Sequence, residues 1–386
     1  MPRWLLVVIL ALSLLPVLAL LLVDPVDGLL NRTTRQPVAV PAVVRVLHDS
    51  LWVADFHNDA LLWNRSLLER HTRGQLDLPR LREGGVRLAV FSATTRFYIA
   101  SNYHRTLPLF DVLPLVAAAS HWPRRAWFDP YQRALVLSRK LHAEARASRG
   151  QLRLVTSRDE MDALLRAQAA GDSVVGAVLL LEGLHAIDGD VARVDSLFAA
   201  GYRVFGIAHM FDNDVGGSAH GWEKTGLTPL GRRVVARIDS LGGIIDLAHA
   251  SHATIDDVLA ITPRPVLVSH TGLESVCPGP RNLPDDVVAR IAGKGGLVAI
   301  GFWKAAVCGG DAAAIARAIH RAIDVAGEDH VALGSDFDGG VAMPFDAGHM
   351  ATLTAALVSD GLTPEQIRRV MGENEKAFLR AMLPAH

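Results

Sequence analysis

The sequence predicts an α/β protein: a (β/α)8 barrel of the TIM type, preceded by a transmembrane helix. Two observations support the barrel, namely eight short apolar runs along the chain and the longer amphipathic stretches that separate them. Runs that are nearly continuous in Val, Ile, Leu and Ala are typical of parallel strands buried on both faces. Alternation of strand and helix repeated eight times favours a closed barrel, with a doubly wound open sheet as the alternative.

The uncharged N-terminal segment predicts the transmembrane helix. Nineteen residues, Leu5 to Val23, carry no charge, and at a rise of about 1.5 Å per residue they would cover roughly 28 Å of bilayer. A cleaved signal peptide is the alternative, although no small-residue cleavage pattern follows the segment. Arg3 before the segment and Asp24 after it favour a cytoplasmic N-terminus, with the rest of the chain periplasmic or extracellular.

The predicted elements follow in order. Residues 1–23 are the anchor or signal segment, residues 24–45 a linker rich in Pro, Val and Arg, and residues 46–386 the barrel domain. The eight predicted strands are Leu51–Phe56, Arg87–Ser92, Val174–Leu181, Arg203–Ala208, Gly243–Ala248, Pro265–Ser269, Leu297–Phe302 and Val331–Ser335. Helices are predicted at Asp129–Arg149, Arg158–Ala170, Val191–Ala200, Pro229–Leu241, Pro284–Ala292, Ala312–Ala326 and after Thr363.

Residues 97–130 do not fit the strand–helix repeat, because the segment is long, aromatic and partly apolar. A helix packed over one face of the barrel is the simplest interpretation. A lid, an oligomer contact and a second membrane contact are the functional alternatives, and the sequence does not choose among them.

Composition limits the classes of function. The chain has 39 Lys and Arg against 40 Asp and Glu, and without a basic stripe a nucleic-acid partner is not expected. Half of the residues are hydrophobic, which is enough for one large core. The two cysteines, Cys277 and Cys308, could form a disulfide in an oxidising compartment or stay free in the cytosol.

Side chains that can bind metals follow six of the eight predicted strands. They are His57 and Asp59, Glu182, His209, His249, His270 and Asp336. In a (β/α)8 barrel the C-terminal ends of the strands converge on one rim, where active sites of this fold lie. Three imidazoles and two carboxylates are a suitable ligand set for two zinc ions with one bridging carboxylate, and such a pair can activate a water. We interpret His185 and His252 as lying beyond the rim and not as ligands.

The order and spacing of short motifs carry a resemblance to a known family. The motifs are Asp55-Phe-His-Asn-Asp59, Asp77-Leu-Pro-Arg-Leu-Arg-Glu-Gly-Gly85, Leu181-Glu-Gly183, Gly226-Leu-Thr-Pro-Leu-Gly231, Asp246-Leu-Ala-His249, Ser269-His270, Pro280-Arg-Asn-Leu-Pro-Asp-Asp286, Gly334-Ser-Asp-Phe-Asp-Gly339 and Met371-Gly-Glu-Asn374. From about Ala54 to Phe378 the chain resembles the membrane (renal-type) dipeptidases, a branch of the amidohydrolase-like metal barrels. His-x-Asp, where most metal barrels of the wider group have His-x-His, points to this branch.

The resemblance implies a role for each residue. His57 and Asp59 would bind one zinc, His249 and His270 the other, and Glu182 would bridge both together with a hydroxide. His209 would stabilise the oxyanion of the tetrahedral intermediate, and Arg281 would bind the substrate carboxylate. Asp336 would carry the proton to the leaving amine, with Asp338 as its rival. Cys277 and Cys308 stand where the family has a disulfide.

The resemblance therefore implies a zinc-dependent dipeptidase, active on dipeptides that include those with a C-terminal D-residue. Its expected partners are the dipeptide, the membrane through the N-terminal helix and, as an open question, a second copy in a homodimer. Two alternatives are a metal-dependent amidohydrolase or lactonase of another small carboxylated substrate, and a catalytically inactive, membrane-tethered binding protein. The stretch from Met210 to Trp222 departs from the family pattern, and residues 97–130 look expanded.

Overall fold

Eight parallel strands form a nearly closed barrel in the computed structural model, which describes residues 23–35 and 39–386. In chain order the strands are β1 (Val53–Asn58), β2 (Val86–Thr94), β3 (Leu152–Leu154), β4 (Val175–Glu182), β5 (Tyr202–Gly206), β6 (Ile244–Asp246), β7 (Leu267–Thr271), β8 (Leu297–Ile300) and β9 (Val331–Leu333). The strand order is β1-β2-β4-β5-β6-β7-β8-β9, with β3 paired to β4 outside this path. The predicted barrel is confirmed, and each of its eight strands overlaps a predicted one.

The first and last strands approach each other through the residues that follow them. The amide of Asp59 donates to the carbonyl of Phe337 over 2.9 Å, and the amide of Asp336 donates to the carbonyl of His57 over 3.1 Å. These two bonds bring the loops after β1 and β9 together at the C-terminal rim. The unpredicted strand β3 has three residues, and only Leu152 is buried, so it lacks the continuous apolar pattern of the barrel strands.

Helices surround the barrel between its strands. They are α1 (Ala42–Asp49), α2 (Leu78–Glu83), α3 (Leu113–Ala119), α4 (Pro130–Ala147), α5 (Arg158–Ala169), α6 (Ala192–Ala199), α7 (Pro229–Leu241), α8 (His252–Ile261), α9 (Asp285–Gly293), α10 (Lys304–Val307), α11 (Ala312–Ala326), α12 (Met350–Ser359), α13 (Pro364–Arg368) and α14 (Asn374–Met382). The predicted helices are all present, since the sequence marks their starts clearly. The side chain of Asp129, for example, caps α4 directly before Pro130.

The N-terminal end of the barrel is closed by α14. Phe378 and Leu379 belong to the same apolar cluster as Phe56, Val90 and Leu180 of the strands. The rings of Phe56 and Phe378 meet edge to face with 6.1 Å between their centroids, a favoured aromatic geometry. This end is therefore packed with apolar side chains, and polar groups gather at the opposite rim.

The predicted anchor lies outside the described residues, except for its last residue. Among the residues that the structure does describe, no helix is long and apolar enough to cross a membrane. Both ends of the predicted linker carry helices, since residues 23–30 are helical and α1 begins at Ala42. Asp27 is buried and forms an ion pair of 2.8 Å with Arg65, so the first part of this segment packs on the barrel.

Candidate active site

The Glu182 carboxylate lies at the centre of the polar cluster on the C-terminal rim. Its Oε1 is 3.5 Å from Nε2 of His57, 3.3 Å from Nε2 of His249 and 3.7 Å from Nε2 of His270. Its Oε2 is 3.6 Å from Nε2 of His209. Four imidazoles from four different strand ends thus converge on one carboxylate.

The acidic side chains lie on the His57 side of this cluster. Nε2 of His57 is 3.5 Å from Oδ2 of Asp59 and 4.0 Å from Oδ1 of Asp336. The Thr94 hydroxyl lies 2.5 Å from Glu182 Oε2 and 2.9 Å from Asp59 Oδ1. The Thr94 hydroxyl, at the end of β2, therefore lies between the two carboxylates and can donate its one proton to either.

Donor atoms within 4.8 Å of one another form three groups with the composition of a metal site. They are His57, Glu182 and His270; Glu182, His209 and His249; and His57, Asp59 and Asp336. Because Glu182 belongs to two of these groups, the arrangement suits a pair of cations that share a carboxylate.

Unusual backbone conformations orient the side chains of His249 and Asp336. His249 and Asp336 both adopt left-handed conformations, with φ of 63° and 64°. Such strain in residues other than glycine is concentrated at functional sites. Gly183, directly after Glu182, has a φ of 96°, and a Cβ there would lie 2.5 Å from Nδ1 of His185. Only glycine fits next to Glu182 without displacing the ring of His185.

Hydrogen bonds behind the imidazoles determine which ring nitrogen is free to bind a cation. Ser269 donates its hydroxyl proton to Oδ2 of Asp246 over 2.7 Å. Its oxygen must then accept from the ring of His270, whose Nδ1 is 3.0 Å away, and it lies 3.4 Å from Nδ1 of His57. With the proton on Nδ1 of His270, the lone pair on Nε2 of the same ring points at Glu182, as a metal ligand requires.

A second relay orients His249, and it involves His220. Nδ1 of His220 lies 2.9 Å from the carbonyl oxygen of Tyr103, which can only accept, so this nitrogen carries the proton. Nε2 of His220 then accepts from Nδ1 of His249 over 3.1 Å. The remaining lone pair of His249, on Nε2, faces Glu182 and lies 2.9 Å from Nε2 of His270.

The acidic side chains around His57 favour positive charge at this position. Burial alone would lower the pKa of His57, but Glu182, Asp59 and Asp336 outweigh it and raise that pKa to about 10. The charge that holds a proton on His57 can hold a metal ion in its place. Burial, reinforced by Asp59 and Glu182 and opposed by His57, raises the pKa of Asp336 well above its usual value. Asp336 is thus suited to hold and release a proton.

Arg281 lies beside the cluster and is buried. Its guanidinium donates to the carbonyl of His270 over 2.6 Å and lies 5.4 Å from the ring centroid of Trp303. Within the described part of the chain its Nε has no hydrogen-bond partner. Burial lowers the pKa of Arg281, and Asp336 and Glu182 oppose that shift. The side chain therefore keeps a free donor beside the site.

The structure thus brings all the predicted metal-binding residues together, with His209, Arg281 and Asp336 beside them. Asp338, the rival of Asp336, lies elsewhere, since it is buried against Nη2 of Arg65 at 2.9 Å. His185 bonds to Thr95 over 2.8 Å, and His252 is exposed. Neither belongs to one of the three metal-binding groups among the described residues.

The predicted disulfide is present between Cys277 and Cys308. It lies next to the segment that carries Arg281, because Asn282 donates to the carbonyls of Cys277 and Ala305 over 2.7 and 3.0 Å. The covalent bond and these hydrogen bonds connect the loop after β7 to the region after β8. Together they brace the backbone on which Arg281 stands.

Three positioning residues were not predicted: His220, Ser269 and Asp246. Ser269 and Asp246 stand in the motifs that also contain His270 and His249, so their neighbourhood was visible without their role. His220 lies in the stretch from Met210 to Trp222, and its position beside His249 depends on a contact with the distant Tyr103. No local pattern in the sequence signals that contact.

Solved structures with this architecture include two metallopeptidases. A dipeptidase of peptidase family M19 superposes with a TM-score of 0.73 and 26% identity, covering 87% of this chain and 100% of that one. A metallopeptidase from Rhodobacter sphaeroides, bound to a phosphinate mimic of the dipeptide L-Ala-D-Ala, superposes with a TM-score of 0.69 and 27% identity. That match covers 86% of this chain and 99% of the other.

Sequence relatives agree with this likeness. An uncharacterised dipeptidase of Schizosaccharomyces pombe is 33% identical over 213 residues, or 52% of this chain and 51% of the relative. The chain therefore spans about half the length of that relative. A protein of Klebsiella pneumoniae is 32% identical over 53% of this chain and 79% of its own length. The family model for membrane dipeptidases, peptidase family M19, matches residues 42–384, and the chain therefore belongs to that family.

Proposed function

We propose that the protein is a dipeptidase that binds two zinc ions at the Glu182 cluster and cleaves dipeptides, including those with a C-terminal D-residue. The carrying observation is that the Nε2 atoms of His57, His249 and His270 converge on Oε1 of Glu182, at 3.5, 3.3 and 3.7 Å. The phosphinate mimic of L-Ala-D-Ala bound to the Rhodobacter sphaeroides metallopeptidase supports the choice of substrate.

The donor set fits the proposed ions. Imidazole nitrogens and carboxylate oxygens are common zinc ligands, and within the described part of the chain Nε2 of His57 is buried with no hydrogen-bond partner. His57 and Asp59 would hold one ion, His249 and His270 the other, with Glu182 shared between them. Bound zinc supplies Lewis acidity and lowers the pKa of water to about 7.

The remaining residues act on the substrate. Arg281 would bind the free carboxylate of the dipeptide with the donor left unused in the structure, since a planar fork of N–H groups matches a carboxylate. His209 would donate a hydrogen bond to the oxygen that becomes negative during attack. Asp336, whose raised pKa favours the acid form, would take a proton at its carboxylate oxygen and deliver it to the leaving amine.

We also propose that the chain is anchored by residues 1–23 with its barrel outside the cytoplasm. The disulfide between Cys277 and Cys308 supports this placement, because such bonds persist in oxidising compartments. Fractionation of cells that express the full chain would test the location. Recovery in the cytosol, with both thiols reduced, would exclude it.

The activity is tested with the full chain in detergent, stripped of metal and then titrated with zinc. Hydrolysis of L-Ala-D-Ala should vanish on stripping and return as zinc approaches two per chain. His57→Ala should abolish it, whereas the control His252→Ala, which changes an exposed histidine outside the site, should match the parent. Equal turnover by His57→Ala and the parent would disprove the metal mechanism.

A further inference from the structure

The loop after β2 exposes large apolar side chains at the C-terminal rim. Ile99 is 69% exposed, Leu109 71% and Phe110 52%, and Phe128, before the start of α4, is 78% exposed. Isolated apolar residues are common on protein surfaces, whereas clusters of them mark contact sites. We call Ile99, Leu109, Phe110 and Phe128 the rim patch.

A paired backbone and a buried arginine hold the rim patch in place. The amide of Ile99 donates to the carbonyl of Phe110 over 2.9 Å, so the chain folds back on itself here. The guanidinium of Arg133 bonds to Asp111 Oδ2 over 2.6 Å and to the carbonyl of Ala126 over 2.9 Å. It also bonds to the carbonyl of Trp127. The residues next to Phe110 and Phe128 therefore both bond to the Arg133 side chain, which connects the two parts of the patch.

Exposed arginines lie in the segment that carries the rim patch, and acidic residues lie at its edges: Asp129 follows Phe128, and Asp188, Asp212 and Asp214 line a cavity with Tyr98 and Pro108. Residues 97–128 contain Arg105, Arg124 and Arg125, all exposed, against Asp111 as the sole acidic residue. That carboxylate is neutralised by its ion pair with Arg133. An apolar surface whose own segment carries three exposed arginines is complementary to an anionic phospholipid surface, which takes apolar side chains below its headgroups and attracts cations to them.

The chain reaches this rim from its N-terminal segment. Asp27, on the helical residues 23–30, pairs with Arg65 in the loop after β1. Asn31 accepts from the amide of Gly340 in the loop after β9 over 2.9 Å. Both loops follow the C-terminal ends of strands, as does the loop that carries the rim patch. The described part of the N-terminal segment, which begins at residue 23, therefore packs against loops at the rim that exposes the patch.

We propose that the rim patch, with Arg105, Arg124 and Arg125, rests on the anionic headgroup layer of the membrane that anchors the chain. The active-site rim then faces the bilayer, and residues 97–128 form a second membrane contact. This proposal rests on the proposed anchor and is independent of the proposed peptidase chemistry.

The test places the full chain in lipid nanodiscs, one copy per disc, with an environment-sensitive fluorophore on a single introduced cysteine. Phe110→Cys carries the label in the patch. Ile261→Cys is the matched control, since Ile261 is an exposed apolar residue at the last position of α8, at the opposite end of the barrel. The native cysteines are paired and do not react with the label.

The label at position 110 should be quenched by brominated lipid and protected at least fivefold from aqueous iodide relative to the label at 261. Equal iodide quenching at the two positions would overturn the proposal while leaving the anchor intact. A chain that fails to remain with the disc would overturn both. Protection that appears only with two copies per disc would show that a second copy covers the patch, and would also overturn it.

The lipid charge is tested separately. Protection at position 110 should fall severalfold when phosphatidylglycerol is replaced by phosphatidylcholine, and also in the double variant Arg124→Glu/Arg125→Glu. The matched control is Arg146→Glu/Arg149→Glu, which changes two exposed arginines at the other end of α4. Equal protection in both lipids and in both double variants would overturn the role of the arginines.

Discussion

The two ends of the barrel each bury a glutamate, and their surroundings give the two carboxyl groups opposite character. At the C-terminal rim, burial opposes ionisation of Glu182, but His209, His57 and Thr94 outweigh it and lower its pKa. At the N-terminal end, burial and the nearby Asp55 raise the pKa of Glu375 well above its usual value. Among the described residues, neither oxygen of Glu375 has a hydrogen-bond partner.

This difference shows what makes a buried carboxyl group functional. Glu182 is an anion that faces the lone pairs of several imidazoles, which is the arrangement a bridging metal ligand needs. The raised pKa of Glu375 favours its neutral acid form, and that form has no charge to offer a cation. Both carboxyl groups are buried, so the neighbouring groups, and not burial, distinguish a metal-binding glutamate from a structural one.

The largest expected effect comes from replacing the two glutamates in turn. Glu182→Gln removes the shared anion, and we expect loss of metal and a fall in kcat of about 10³-fold or more. Glu375→Gln keeps a neutral group of similar size and should leave kcat within about twofold of the parent. Zinc content and turnover of the purified variants measure both effects. Similar losses of zinc and turnover in the two variants would contradict the proposed difference between the two ends of the barrel.

Arg281 should affect substrate binding at the rim and not the metal. Removing a buried charge-assisted pair costs about 2–4 kcal/mol, so Arg281→Met should lower kcat/KM by roughly 10²-fold or more for dipeptides with a free carboxylate. C-terminally amidated dipeptides should lose little. Zinc content should stay unchanged, and an equal loss on both substrate types would assign Arg281 a structural role.

The relay through His220 should tune metal affinity more modestly. Residues that hold metal ligands by hydrogen bonds typically contribute 10- to 100-fold in affinity, so His220→Ala should weaken zinc binding by that factor in a chelator competition. His220→Gln can still accept from His249 and donate to Tyr103, and we expect it to restore most of the affinity. If both variants bind zinc as the parent does, His220 does not position His249.

The smallest expected effect is a dependence of zinc affinity on pH. With a pKa raised to about 10 in the metal-free chain, His57 is protonated at neutral pH, and zinc must displace that proton. The apparent affinity should therefore increase by about tenfold per pH unit between pH 6 and 8, with proton release on binding. Titration calorimetry in buffers of different ionisation enthalpy measures the released protons. A zinc affinity that does not change with pH would contradict the raised pKa of His57.

The sequence predicted the metal-binding side chains of the rim more completely than the hydrogen bonds that position them. Metal-binding residues such as His57, Glu182 and His270 follow apolar strands directly, and the barrel brings strand ends together whatever the loops do. The role of His220 could not be predicted in this way, because it depends on a carbonyl of Tyr103, 117 residues away. Ser269 and Asp246 were visible in motifs, but the hydrogen bonds that connect Asp246 to Ser269 and Ser269 to His270 depend on the register of neighbouring strands.

The most direct test is a crystal structure of the zinc-loaded protein with anomalous data collected on both sides of the zinc absorption edge. The account predicts two zinc peaks per chain, both in contact with the Glu182 carboxylate, one beside His57 and Asp59 and the other beside His249 and His270. Zinc bound elsewhere, or a rim in which Glu182 contacts no metal, would contradict it.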